Sequence, residues 1–136
     1  MTNTLIENLA SQLSPPRIAV IDDDADTRAM HCMALEMENF DCLEFESGQA
    51  FLTFLKTNAA PQLILCDLFM PVMSGSELIN HLSAQPGYAD IKVILISGAS
   101  DISQYSKQLA CNVVLRKPVS VDMLIDTVKR QLTLGK

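Results

Sequence analysis

The chain has 136 residues, the size of one ordinary domain, and nearly half of them are apolar, enough to fill a core. Its formal net charge of -6 argues against nucleic acid as a direct partner, and no apolar run approaches the ~18 residues of a membrane span. The start of the chain lacks the basic and apolar regions of a signal peptide. Four scattered cysteines (Cys32, Cys42, Cys66, Cys111) with no Cys-x-x-Cys pair are expected to be reduced, mostly buried thiols of a cytoplasmic protein.

Residues 1–16 read as an N-terminal extension and residues 17–136 as the domain proper. Within the extension, Thr4 and Glu7 have capping-box spacing and Leu5, Leu9 and Leu13 recur every four residues, so a short helix over 4–12 is expected before Ser14-Pro15-Pro16 ends it. Two readings stay open: a frayed leader, or a helix packed on the domain or on a second copy. Ile18-Ala19-Val20-Ile21 is the first core strand, followed at once by Asp22-Asp23-Asp24. A helix is expected from Asp26 to about Asn39, with Met30, Met33, Ala34 and Met37 on one face. Cys42 to Glu46 alternates apolar and acidic residues, as an edge strand does. Ser47 then caps a helix carrying Phe51, Leu52, Phe54 and Leu55, which Pro61 closes.

Leu63-Ile64-Leu65-Cys66 is an unbroken apolar run ending on Asp67, with Met70-Pro71 and Gly75 beyond it. Such a run reads as a strand buried on both faces. An unpaired buried charge is costly, so Asp67 is expected to leave the core at the C-terminal rim of the sheet, where open α/β sheets bind ligands. Ser74 and Glu77 form a capping box for the next helix, with Leu78, Ile79 and Leu82 apolar, and Gln85-Pro86-Gly87 closes it. Ile91 to Ile96 make a fourth strand ending at Ser97-Gly98, and a short helix follows around Ile102 to Leu109. Val113-Val114-Leu115 is a fifth strand ending at Lys117-Pro118, and Ser120 caps a last helix with Val121, Leu124, Ile125, Val128 and Leu132 at a 3.6 period. Strands alternating with helices imply a parallel sheet covered on both faces, with right-handed crossovers.

Four strand ends carry a polar group: Asp22-Asp23, Asp67, Ser97 and Lys117. Singly, each has a bland explanation: a solvated turn and N-cap, a loop hydroxyl, a surface charge. Together they fall on one edge of a parallel sheet. Carboxylates gathered there repel one another unless a cation sits among them, and Mg²⁺, a hard ion that pairs one or two carboxylates with phosphate oxygens, fits best. Lys117 adds a point charge suited to a phosphoryl group, and Ser97 a hydroxyl donor. A carboxylate nucleophile, a metal, a lysine and a hydroxyl are the equipment for phosphoryl transfer to an Asp side chain. Other motifs fail on spacing. The acid run lacks the Gly and closing Glu of an EF-hand loop, and no phosphate-cradling Gly-rich loop exists. His31 and His81 stand alone and read as helix-surface residues, not zinc ligands. A haloacid-dehalogenase-like Asp-x-Asp signature fits Asp22-x-Asp24 poorly, because Asp26 follows.

From Ile21-Asp22-Asp23-Asp24, Asp67 with Met70-Pro71 and Gly75, Ser97-Gly98 and Lys117-Pro118, in that order, the chain resembles the receiver domain of two-component response regulators over about residues 17–134. The resemblance implies a flavodoxin-like, CheY-like doubly wound sheet of five parallel strands in the order 2-1-3-4-5. It implies that Asp67 accepts a phosphoryl group from a phosphohistidine on a sensor histidine kinase or phosphotransfer protein. Asp23, Asp67 and the main-chain carbonyl of Phe69 would bind Mg²⁺ directly, and Asp22 mainly through a metal-bound water. Ser97, with Gly98 beside it, would bond a phosphoryl oxygen, Lys117 would pair with the phosphoryl group, and Lys117-Pro118 would be cis. Drawing Ser97 inward would then reshape the surface formed by the 102–109 helix, the fifth strand and the last helix, through which relatives often dimerise or bind a downstream protein target.

Two departures stand out. The family usually has Tyr or Phe three residues before the lysine, and here that position is Val114; Tyr105 on the short helix is no evident substitute. Phe69 stands where relatives often carry a small or polar residue, and its bulk is expected to slow hydrolysis of an aspartyl phosphate. The reading that leads is a signalling module rather than a turnover enzyme, with acceptance and hydrolysis of its own phosphoryl group as its only chemistry. The last helix ends near residue 134, so no output domain is expected within these residues; a stand-alone regulator, a relay and a receiver cut from a longer chain all fit, and a homodimer is allowed. A phosphorylation-independent interaction module, which Val114 favours slightly, is the second reading, and a small Mg²⁺-dependent phosphatase the third.

Overall fold

A computed structural model describes residues 15–98 and 111–134. The helices expected over 4–12 and 102–109, Tyr105 included, lie outside the described residues. Five strands, β1 (Arg17–Ile21), β2 (Asp41–Phe45), β3 (Leu63–Asp67), β4 (Lys92–Ser97) and β5 (Val113–Arg116), form one parallel sheet in the order β2-β1-β3-β4-β5. This is the expected doubly wound, flavodoxin-like order, with the chain reversing direction of travel between β1 and β3. Four α-helices are described: α1 (Ala25–Met37), α2 (Gly48–Leu55), α3 (Gly75–Ser83) and α4 (Val121–Leu134), with a single 3₁₀ turn at Pro86–Tyr88.

Side chains on a strand alternate between faces, and the core divides accordingly. Ala19, Ile21, Ile64, Cys66, Val93 and Leu95 meet Phe51 and Leu55 of α2 and Leu78, Ile79 and Leu82 of α3. Their neighbours Ile18, Val20, Leu63, Leu65, Ile94 and Ile96 meet Cys32 and Leu35 of α1 and Leu124 and Val128 of α4. The central strand β3 is buried throughout, as an apolar run requires; β2, on the edge, is exposed or half-buried at every position. Each helix begins where a side chain takes up an orphan amide. Asp24 accepts from the Thr27 N–H and hydroxyl, Ser47 from Ala50, and Ser120 from Met123. Ser74 and Glu77 close the expected capping box at α3.

The methionines of α1 and Ala34 share a face, as expected, and it looks outward: Met30, Met33 and Met37 are exposed, while Cys32 and Leu35 pack on the sheet and His31 is buried. Two expectations are corrected. Two apolar stripes compete on this helix, and periodicity alone does not say which one the sheet takes. His31, expected at the surface, therefore lies in the interior, only 5% exposed. Cys32 and Cys42, expected as free thiols, form a disulfide. The turn from α1 into β2 brings their Cα atoms to 5.7 Å, inside the range a disulfide spans, although ten residues separate them in sequence. Cys66 and Cys111 are free.

Candidate functional site

The acid run after β1 is held by its main chain. The Asp22 N–H donates to the carbonyl of Phe45 at the end of β2 (3.1 Å), and the Asp22 carbonyl accepts from Arg28 Nη1 of α1 (2.8 Å). Arg28 is itself fixed by Glu44 of β2, Nε to Oε1 3.2 Å. The Asp22 carboxylate accepts the Asp24 N–H through Oδ1 at 2.9 Å and is buried, whereas Asp23 is exposed. Asp24 is occupied in capping α1. The sequence reading passed over Arg28; its one signal was a lone cation one turn into the helix that the acids begin.

Asp67 ends β3, and the structure corrects its expected exposure. It is 7% exposed, and the charge is accommodated by Lys117, whose Nζ lies 3.4 Å from Oδ2, and by the Phe69 N–H. Burial pushes its carboxyl above the ordinary Asp range and the Asp22 charge adds to this; Lys117 and the Phe69 N–H pull the other way. The chain leaves β3 by a tight path. Leu68 donates to Ile96 of β4 (2.8 Å), Gly75 donates back to Leu68 (2.7 Å), and a Cβ on residue 75 would meet the Asp67 carbonyl oxygen at 2.6 Å. Between these anchors Phe69 is exposed, Met70 is buried and Val72 takes a left-handed φ of 69°.

Ser97 is fully buried at the end of β4, and its carbonyl accepts the Lys117 N–H at 2.9 Å, which ties the two strand ends together. Gly98 is exposed next to the Lys117 side chain, and a Cβ there would make only ordinary contact, 3.9 Å to Cδ. The Lys117–Pro118 peptide is cis. Val114 sits inside β5, half-buried opposite Leu95, and packs against the core on the α2 and α3 side.

One oxygen from each of Asp22, Asp23 and Asp67 falls within 4.8 Å of the others. Three acids and one lysine leave the cluster short of positive charge. A divalent cation with oxygen ligands fits it: Mg²⁺ takes one or two carboxylates directly and reaches others through its waters. His31, also missed as a site neighbour, faces a cleft of about 410 Å³ bordered by Thr27, Met30, Ile96, Lys117 and Val119. Its Nδ1 has no hydrogen-bond partner among the described residues, and burial holds its pKa below the ordinary value against the pull of Asp22. Among the described residues, no helix is long and apolar enough to cross a membrane.

A family model for the response regulator receiver domain matches residues 18–129. The phosphate regulon transcriptional regulatory protein PhoB of Pseudomonas aeruginosa is 32% identical over 117 residues, covering 85% of this chain and 51% of that protein. Sporulation initiation phosphotransferase F of Bacillus subtilis is 25% identical, covering 87% of this chain and 94% of that one. Among solved structures, the signal receiver domain of a signal transduction histidine kinase from Syntrophus aciditrophicus superposes with a TM-score of 0.82 at 28% identity, covering 89% of this chain and 92% of that one. The chain spans about half the length of the PhoB proteins it matches. On a family match across most of its length and a sheet of the same order, the chain belongs to the response regulator receiver domains of two-component signalling.

Proposed function

We propose that Asp67 is the phosphoryl acceptor of a cytoplasmic signalling receiver, loaded from a phosphohistidine on a sensor histidine kinase or a phosphotransfer protein. The observation that carries this reading is the contact between Lys117 and Asp67 beside two further carboxylates. In the transfer, the phosphohistidine N–P bond breaks, a bond forms from an Asp67 carboxylate oxygen to phosphorus, and the electron pair stays on the histidine nitrogen. Asp23, Asp67 and the Phe69 carbonyl, with Asp22 acting through a water, would hold Mg²⁺, which would supply positive charge for the phosphoryl oxygens. Lys117 pairs with the transferred group, and Ser97, with Gly98 giving an open approach, bonds one of its oxygens.

The product carries roughly 1.5 to 2 negative charges at the sheet edge, which re-orders the charges around Ser97 and Lys117 and passes the signal to a downstream protein. Residues 17–136 form this receiver, with 1–16 as an extension. It is a signalling module whose only turnover is loss of its own phosphoryl group, and it works without direct contact to nucleic acid or membrane. Val114, in place of the usual aromatic, supports a second reading in which the domain binds its partner without phosphorylation.

Incubation with Mg²⁺ and a small phosphodonor separates these. Stoichiometric, acid-stable and base-labile labelling, lost in Asp67→Asn and on chelation of Mg²⁺, supports acceptance at Asp67. Absence of labelling supports the second reading, and continuous release of phosphate from an exogenous substrate supports a phosphatase.

A further inference from the structure

Asp22 is suspended between two elements. Its N–H is held by Phe45 of β2, and its carbonyl by Arg28 of α1. The position of the acid therefore depends on how α1 sits against β2. Two links join these elements on facing sides: Arg28 to Glu44, and Cys32 to Cys42. Residues 28 and 32 lie one turn apart on the helix, and 44 and 42 lie two apart on the strand, so the links stack one above the other. The strand they reach is on the sheet edge and only partly buried, with β1 as its sole neighbour in the sheet among the described residues; the two links add to the packing of Phe40 with Cys32 and Leu35 and to the hydrogen bond from the Phe40 N–H to the Leu35 carbonyl (3.2 Å).

We propose that Cys32 and Cys42 form a reversible thiol–disulfide pair whose oxidised state steadies the acidic loop and strengthens cation binding there. The effect on the cation and the reducing compartment rest on the function proposed above; the thiol–disulfide exchange itself does not. Oxidation proceeds by exchange with a low-molecular-weight disulfide such as oxidised glutathione. The half-buried Cys42 attacks as thiolate and one glutathione thiol leaves; Cys32 then displaces the other, so the glutathione S–S bond is lost as the protein S–S bond forms. In a reducing compartment, disulfides that do form are mostly transient or sensing ones, which fits a switch better than a permanent staple. Cys66 is enclosed in β3 and does not compete, because burial and the neighbouring Asp67 charge hold its thiol protonated.

The whole chain is equilibrated in glutathione buffers of graded ratio, then trapped by alkylation and weighed intact. The expected result is a reversible change between four alkylatable thiols and two, with Cys32 and Cys42 identified by peptide mapping. The oxidised form should melt about 5–10 °C higher. Mg²⁺ titrated calorimetrically should bind the oxidised form about tenfold more tightly, since supports behind a metal ligand carry effects of that size. Chemically reduced protein and the Cys32→Ala/Cys42→Ala variant should match each other. A pair that forms at no ratio, or stays closed at the most reducing ones, overturns the switch. Equal Mg²⁺ affinity in both forms overturns the coupling. Absence of Mg²⁺ binding in either form overturns the cation site and the coupling together, while the thiol count still judges the redox pair alone.

Discussion

Gly75 leaves no room for a side chain beside Asp67: a Cβ would lie 2.6 Å from the Asp67 carbonyl oxygen and 3.0 Å from the Leu68 Cα. Both obstacles are main chain, which cannot rotate away. Gly75→Ala should therefore destabilise the domain by about 1–3 kcal/mol, the usual cost of overpacking, and should also slow phosphoryl acceptance by displacing the end of β3. Denaturant unfolding and the labelling rate check the two effects; a variant with unchanged stability would show that the loop yields more easily than its geometry implies.

His31 is a polar ring in an apolar layer, with one nitrogen unpartnered among the described residues. Replacing it by Leu, of similar volume, should raise stability by about 1 kcal/mol near neutral pH. The gain should grow in acid. The folded state holds the His31 pKa below its ordinary value, chiefly by burial, so the unfolded chain takes up the proton first as pH falls through about 6.5. Wild-type stability is then lost between that value and the lower folded one, a loss that His31→Leu escapes. Urea unfolding at a series of pH values reads this directly, and a constant difference between the two proteins would contradict it.

Val72 is 95% exposed and holds a φ of 69°, a conformation that a β-branched residue adopts at a cost of about 1–2 kcal/mol. With so little packing to lose, Val72→Asn should stabilise the domain by roughly 1 kcal/mol, seen as a higher melting temperature. A lower one would mean that the side chain makes contacts worth more than the strain.

Phe69 is exposed two residues after Asp67. If its ring shields the aspartyl phosphate from water, Phe69→Asn should shorten the lifetime of the labelled protein severalfold. The decay of label after removal of the phosphodonor measures this, and an unchanged lifetime would refute the shielding role.

The alternation of strands and helices and the edge on which the chemistry gathers were legible because they depend on short-range signals: an apolar run as long as a strand, a polar residue at its end, a capping serine or aspartate before a helix; the strand order came with the resemblance to the receiver family. Asp67 and Lys117 could be placed on one edge by counting strands, though they are 50 residues apart. What stayed hidden depends on partners that no local pattern names. Asp67 is buried because Lys117 and an amide compensate it. Arg28 matters because of a carbonyl six residues back and a glutamate on the next strand. Cys32 and Cys42 meet only once α1 has turned back along β2, and His31 is interior because Cys32 and Leu35, rather than the methionines, face the sheet.

Chemical mapping of the phosphorylated carboxylate tests the central claim most directly. The chain is treated with Mg²⁺ and a small phosphodonor, reduced with borohydride, which converts an aspartyl phosphate to homoserine, and sequenced by tandem mass spectrometry. The account predicts homoserine at position 67, dependent on Mg²⁺ and weakened in Lys117→Ala. Conversion at another carboxylate, or an unmodified Asp67 under conditions that label a known receiver, would contradict it.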